Sequence, residues 1–376
     1  MRTETRPTQF AKYDQNAGKV LTVIIDVDQS SNVNRNHDFE IPVNSKLREI
    51  ESRIKDESEL EQYRRCVDLA LGFIKSYRPS SKSVAVFAQA NGNVSTRELN
   101  VALKTETRWQ ALPHIQPLME AGDEFEQLLI VLLDGRHCRF LTSILGNITE
   151  HPDILNPYPT GHTQAPGNDQ TKSQPTFHRR SDEREQHYLK SVSEMAESMA
   201  ATKAIDRIVL AGNNGACKDL YSVLPKTLQR HVISFIILPV QATLEQITDA
   251  VKQPRYQAER KNESAKVAAL LDRSGTGAKA VTGVDDTTAA LADGRVHELV
   301  YAHGIALSGA RCIACDSIVV GYLACPKCHK VLGPVGDAMD MIIVAALDTG
   351  ATIEQVRGEA SETLMSAGGI GAFLRY

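Results

Sequence analysis

The chain contains no run of about 18 apolar residues, so no membrane-spanning helix is expected. Its opening stretch, MRTETRPTQFAKYDQ, is polar and lacks the apolar core of a signal peptide. Positive charge is not in excess: 42 Lys and Arg stand against 46 Asp and Glu, a formal net charge of −4. That excludes a globally basic nucleic-acid binder and leaves RNA contact to local patches, with no DNA partner expected. Cysteine is scarce. Seven occur in 376 residues and four of them cluster, which does not resemble a secreted disulfide framework. A cytoplasmic location is the expectation.

Catalytic signatures are missing as well. There is no nucleophile elbow and no phosphate-binding glycine loop. The turn Gly212-Asn213-Asn214-Gly215 stands alone and carries little weight. Asp26, Asp28 and Asp134 fall at strand ends in different predicted domains, so they do not form the carboxylate cluster that binds a catalytic magnesium. The chain is expected not to be an enzyme. Internal repeats are absent too.

What is present begins with RCIAC and ACPKC. Cys312, Cys315, Cys325 and Cys328 form two C-x-x-C pairs separated by nine residues. Thiolates at this spacing on two turns can close a tetrahedral zinc site. Free or redox-active cysteines are the alternative. Four protein ligands leave no open position, so a zinc there would be structural. Such a knuckle, 311–330, would fold a small excursion that has no core of its own. His329 is a rival ligand but is expected to face solvent. Cys66, Cys138 and Cys217 read as ordinary core or near-surface residues.

The length calls for two or three domains. VLTVIIDVD (20–28) and SVAVFAQANG (83–92) read as strands, and 45–77 carries helical periodicity over most of its length. These make an N-terminal α/β domain, 1–125. Residues 126–151 read as a strand, a glycine turn and a second strand. The next stretch contains Pro152, Pro157, Pro159, Pro166 and Pro175 and no apolar periodicity, so 151–180 reads as a long exposed loop. A helix from about 180 to 201 and strands at 205–213 and near 240 complete a middle α/β domain, 126–240. A C-terminal α/β domain, 241–376, opens with a helix that carries Arg255, Arg260, Lys261 and Lys266. It continues with a short helix, a glycine stop and a strand over 284–307. MIIVAAL (341–347) reads as a further strand, and TIEQVRGEAS as the start of the last helix.

Three stretches then resemble one family. GVDDTTAALADGRVHELVYAH (283–303), AGGIGAFLRY (367–376) and FHRRSDEREQHYLKSVSEMAE (177–197) are similar, in this order, to signatures of the archaeal and eukaryotic class-one peptide release factors and their paralogue Pelota. The double C-x-x-C also occurs in archaeal members. The chain is similar to the divergent bacterial branch that includes ribosome-hibernation factors of the Balon type. The resemblance implies a three-domain release-factor-like α/β architecture with a zinc knuckle inserted in the C-terminal domain. It further implies an N-terminal domain facing the decoding site, a middle loop reaching the peptidyl-transferase centre, and a C-terminal domain that meets a translational GTPase such as EF-Tu.

Departures from the family matter equally. Release factors carry G-G-Q at the tip of the middle-domain loop, and this chain has no G-G-Q; the stretch reads TKSQPTFHRR. No T-A-S-N-I-K-S run occurs either. Asn44-Ser45-Lys46 resembles its centre, but an N-cap before the helix explains it better. Codon reading is therefore not expected. Lys172, His178, Arg179, Arg180 and Arg184 gather positive charge around the loop, and Phe177 or Tyr158 could stack on bases. Asp169, Asp182, Glu183 and Glu185 would balance them on a merely solvated surface. The resemblance favours contact with rRNA. The expectation is a factor of the ribosomal A site acting in hibernation or rescue without peptidyl-tRNA hydrolysis. The rival is a release factor or peptidyl-tRNA hydrolase using another residue of the loop, Gln174 or His178 among them.

Overall fold

The computed structural model describes residues 14, 17–30, 34, 38–124, 127–144, 147–155, 170–203, 205–315, 317–333 and 336–376; the side chains at 123, 124, 147 and 170–182 also fall outside that description. The chain is α/β throughout.

The first layer is a four-stranded antiparallel sheet in the order β3-β2-β1-β4, built from β1 (Val20–Asp26), β2 (Ser83–Gln89), β3 (Val94–Leu99) and β4 (Glu106–Gln110). β1 is apolar on both faces and supplies two clusters. Leu21, Val23 and Ile25 pack under α1 (Glu40–Glu51) and α2 (Glu57–Ser76), while Val20 and Ile24 face the other way. The single helical periodicity expected over 45–77 is two helices. Asp56 breaks it by accepting a 2.7 Å hydrogen bond from the Glu59 backbone N–H, the N-cap of α2. Asn44, Ser45 and Lys46 lie inside α1, whose N-cap is Phe39, so their expected capping role is corrected. α3 (Gln116–Glu124) follows.

The next stretch is a five-stranded sheet, β7-β6-β5-β8-β9. It comprises β5 (Leu128–Leu133), β6 (His137–Ile144), β7 (Asn147–Leu155), β8 (Arg207–Gly212) and β9 (Val232–Ile237). β5, β8 and β9 run parallel, and β6 and β7 add an antiparallel flank. LLIVLL has no alternation because both faces are covered. Leu129, Val131 and Leu133 meet α4 (Gln170–Thr202) and α5 (Asn214–Val223); Leu128, Ile130 and Leu132 meet Ile247 and Val251. A short turn of helix, α6 (Lys226–Gln229), precedes β9, and α7 (Leu244–Gly275) follows it.

The expected loop over 151–180 is reduced at both ends. Residues 151–155 belong to β7, whose edge position tolerates Pro152, and the backbone is helical from Gln170. Residues 156–169, with Tyr158, Gln164 and Asp169, lie outside the described residues.

The last stretch holds β10 (Ala280–Thr282), α8 (Val284–Ala292), β11 (Val296–Ala302), β12 (Ser308–Arg311), β13 (Ile318–Val320), β14 (Gly336–Asp337), α9 (Ala338–Asp348), β15 (Thr352–Val356), α10 (Gly358–Ser366) and β16 (Ile370–Leu374). The sheets are β10-β16-β11-β15 and β13-β12-β14. Two expectations are corrected here. MIIVAAL is helical: Asp337 caps α9 by accepting from the Met339 N–H, and the helix reads as continuously apolar because most of it is buried. TIEQV is a strand, paired in parallel with β11, and the last helix begins only at Gly358.

Residues up to 124 and from 260 form one compact unit, and 125–259 form a second. The first unit shares a continuous apolar cluster. Ile24, Phe87, Ile115 and Leu118 from its early segment join Leu299, Met339, Ile342 and Ile343 from its late one.

Candidate functional site

β12 and β13 form a hairpin whose connection carries Cys312 and Cys315, and the loop after β13 carries Cys325 and Cys328. The first turn closes through the Cys312 N–H, which donates to the Ser317 carbonyl at 2.9 Å. The second closes through the Cys325 N–H to the Lys330 carbonyl (3.0 Å) and the His329 N–H to the Cys325 carbonyl (2.8 Å). His329 turns the chain with φ +57° and is exposed. Bridges from Cys312 to Leu332 and from Ala324 to Val331 tie the two turns together.

All four sulfurs lie within 4.8 Å of one another. Cys312 and Cys328 sulfurs are 3.4 Å apart, and those of Cys315 and Cys325 3.5 Å. A disulfide needs about 2.05 Å, so neither pair is bonded. A tetrahedron of thiolates at about 2.3 Å from a zinc ion has edges of about 3.8 Å, close to this spacing. The four cysteines can hold a metal ion. His329 is outside the cluster. The Ser317 hydroxyl, 3.4 Å from the Cys315 sulfur, holds that thiol down to about 6. At Cys328 the Lys330 backbone pulls the pKa down, but desolvation and the neighbouring sulfurs push it up to about 12 on balance. Crowded sulfurs compete to ionise, and a cation removes the competition. The apolar support is small: Cys312, Val319 and Cys325 are its buried members. Ser317 was not singled out from the sequence, although its place two residues after Cys315 was a usable signal. A cleft of about 480 Å³ lies between the knuckle and α8, with Asp285, Ala289, Ile318 and Tyr322 among its walls.

The two terminal signatures meet. β10 pairs with β16, and the Gly283 N–H donates to the Ile370 carbonyl at 2.8 Å. A Cβ at Gly368 (φ +100°) would sit 2.8 Å from the Gly283 Cα, so the glycines of GVDD and AGGIG allow backbone to touch backbone. Leu291, Val296, Leu299 and Val300 are buried and serve packing. The basic stretch of α7 is not one free face. Lys266 reaches Glu298 at 2.9 Å and Glu354 at 2.6 Å, and Arg260 reaches Glu263 at 3.0 Å.

Lys172, Phe177, His178, Arg179 and Arg180 are on α4, with side chains outside the described residues, and Arg184 is exposed further along it. α4 is anchored beyond them by Tyr188, Leu189 and Val192. The remaining carboxylates considered for catalysis have turn-forming work. Asp26 accepts from the Asp28 N–H and from Asn34, Asp28 from the Ser30 N–H, and Asp134 from the Arg136 and His137 N–H groups. Asn213 caps α5 through the Ala216 N–H at 2.8 Å, so the glycine-asparagine turn is a helix start. Cys66, Cys138 and Cys217 are buried, and burial pushes all three thiols up, Cys66 and Cys217 to about 11.

Residues 113–255 match the family model of the bacterial archaeo-eukaryotic release factor family 10. Over these residues the chain is similar to that family. That match spans the five-stranded sheet together with α4, where FHRRSDEREQ had pointed. No curated protein matches the chain. Among solved structures, the chain is similar to an archaeal translation termination factor, aRF1, at 14% identity, covering 95% of this chain and 92% of that one with a TM-score of 0.28. It is similar to Dom34 of S. cerevisiae, a translation termination-like factor, at 11% identity, 78% and 79% coverage and a TM-score of 0.42. It is also similar to archaeal Pelota, from a model of ribosome-bound Pelota and ABCE1, at 12% identity, 96% and 90% coverage and a TM-score of 0.44.

Proposed function

We propose that this protein binds the ribosomal A site as a hibernation or rescue factor and does not hydrolyse peptidyl-tRNA. The observation that carries the reading is the release-factor match over 113–255 in a chain without G-G-Q. In a release factor the glutamine of that motif positions the attacking water, so a middle domain lacking it keeps the means to occupy the site without the means to cleave.

The proposed division of labour follows three domains, 1–125, 126–240 and 241–376. The first faces the decoding site and the second directs the segment before α4 toward the peptidyl-transferase centre. Lys172, Phe177, His178, Arg179, Arg180 and Arg184 contact rRNA there: cations pair with phosphates and the aromatic ring stacks on an unpaired base. The third domain bears a structural zinc on Cys312, Cys315, Cys325 and Cys328 and meets a translational GTPase such as EF-Tu. The place of action is the cytoplasm.

Co-sedimentation with vacant ribosomes across a salt series tests the reading. Stoichiometric binding that weakens steeply with salt is expected, and so is weaker binding by the Arg179→Glu, Arg180→Glu double variant. No binding at low salt, with or without EF-Tu, would overturn it. A release assay with labelled peptidyl-tRNA decides the chemistry. Peptide release abolished by Gln174→Ala or His178→Ala would replace this reading with a hydrolase.

A further inference from the structure

The first unit contains a buried charge cluster that joins sequence positions more than two hundred residues apart. His114 leads into α3, and its side chain is 5% exposed. Its Nδ1 lies 2.7 Å from Oδ2 of Asp340, a residue of α9 that is 1% exposed. Its Nε2 lies 3.6 Å from Oε2 of Glu106 on β4. The Gln110 side-chain amide donates to the same Asp340 oxygen at 2.7 Å, and the His114 backbone N–H donates to the Thr22 hydroxyl at 3.0 Å. The early segment therefore grips a single carboxylate of the late segment with two side chains.

Other charges face this cluster. Arg108 pairs with Glu106 at 2.5 Å. Asp337, at the start of α9, is half-buried and is held up by burial and by the Asp340 charge. From α3, Glu120 lies 3.9 Å from Arg357. Burial alone would lower the His114 pKa, but its hydrogen bonds to Asp340 and Glu106 outweigh that and hold it at about 9.

This is a costly way to join two layers that already share an apolar cluster. A buried ion pair often contributes less than apolar side chains of the same volume, and its attested use is to fix register or to switch. The cost is visible: the Asp340 Oδ1 is buried without a hydrogen-bond partner. Apolar contacts around Ile115, Leu118, Met339 and Ile342 tolerate sliding, whereas one imidazolium between two carboxylates has one register.

We propose that His114, Asp340, Gln110 and Glu106 form a charge latch that sets the N-terminal sheet in a single register on α9, and that loss of the imidazolium charge lets the two layers part. With the charge gone, Asp340 and Glu106 repel each other across a neutral ring and the seam loses its ionic registering contact, leaving the Gln110–Asp340 hydrogen bond to hold the register alone. The latch is independent of ribosome binding, since it needs only the isolated chain.

Hydrogen exchange read by mass spectrometry on the full chain tests it, with His114→Gln and Asp340→Asn singly and combined. Each single variant is expected to speed exchange at least tenfold in both 106–124 and 338–348. The double variant should be no faster than the quicker single. Peptides from 128–155 and 207–237 report on the second unit and should not change. Unaltered exchange in the singles, an effect confined to one of the two segments, or singles whose effects multiply in the double would each overturn the latch. If His114→Gln is unfolded, as rapid exchange in every peptide would reveal, the near-isosteric Asp340→Asn decides the matter by the same criteria.

Discussion

At the scale of single residues, two positions make the sharpest demands. Gly212 ends β8 with φ +143°, and a Cβ there would lie 1.9 Å from the Leu133 carbonyl oxygen of the neighbouring parallel strand. The obstacle is backbone and cannot rotate away. Gly212→Ala is expected to destabilise the second unit by about 3 kcal/mol or more. Thermal unfolding followed with probes in each unit should show the second lowered and the first unchanged. The His114 cluster sets a pH dependence with a definite sign. The folded pKa of His114 is raised to about 9 from an ordinary 6.5, so its stabilisation is complete below 6.5 and lost as pH rises through 9. Glu106 is lowered to about 2 from 4.5, chiefly by its hydrogen bond from His114, so its share is complete above 4.5 and lost as pH falls toward 2. The groups titrate together. Urea unfolding at pH 5.5 and pH 9.5 should differ by on the order of 2 kcal/mol through this cluster, Glu106 being partly solvated, and the difference should shrink in His114→Gln.

At the scale of elements, legibility followed the kind of signal each segment carries. VLTVIIDVD and LLIVLL declared themselves as strands, being short, β-branched or apolar and bounded by turns. MIIVAAL looked the same and is a helix, because a segment buried over most of its surface has no period to read and only the Asp337 cap distinguishes it. TIEQV shows the converse: Thr352, Ile353 and Val356 favour the strand that β11 completes, a pairing partner 54 residues earlier, as in Glu298 with Thr352. The four cysteines were legible because their two C-x-x-C pairs fall within one short stretch. The His114 cluster was not, since Glu106, His114 and Asp340 become neighbours only through the fold. The knuckle also yields a prediction. Purified protein should carry one zinc per chain, and a strong chelator should raise exchange throughout 311–333 while β11, β15 and β16 stay protected, because their cluster contains none of the cysteines. Cys312→Ser should reproduce the effect and Cys66→Ser should not.

At the scale of the whole molecule, two units with separate apolar clusters predict two calorimetric transitions. The endotherm that moves with pH between 6.5 and 9 should belong to the first unit, and the one that moves with Gly212→Ala to the second. A single transition responding to both would show that the units unfold cooperatively.

The first unit is also discontinuous along the chain, with its early and late parts separated by the whole of 125–259. During synthesis the N-terminal sheet emerges long before α9 exists. At about 5–20 residues per second, Ile24, Phe87, Ile115 and Leu118 wait on the order of ten seconds or more for the residues that cover them. The second unit can complete itself in that interval, but the first cannot. A nascent chain halted after residue 259 would display that uncovered apolar face together with a His114 that has Glu106 but not yet Asp340, which makes this stage of its own translation the point at which the protein most needs a chaperone.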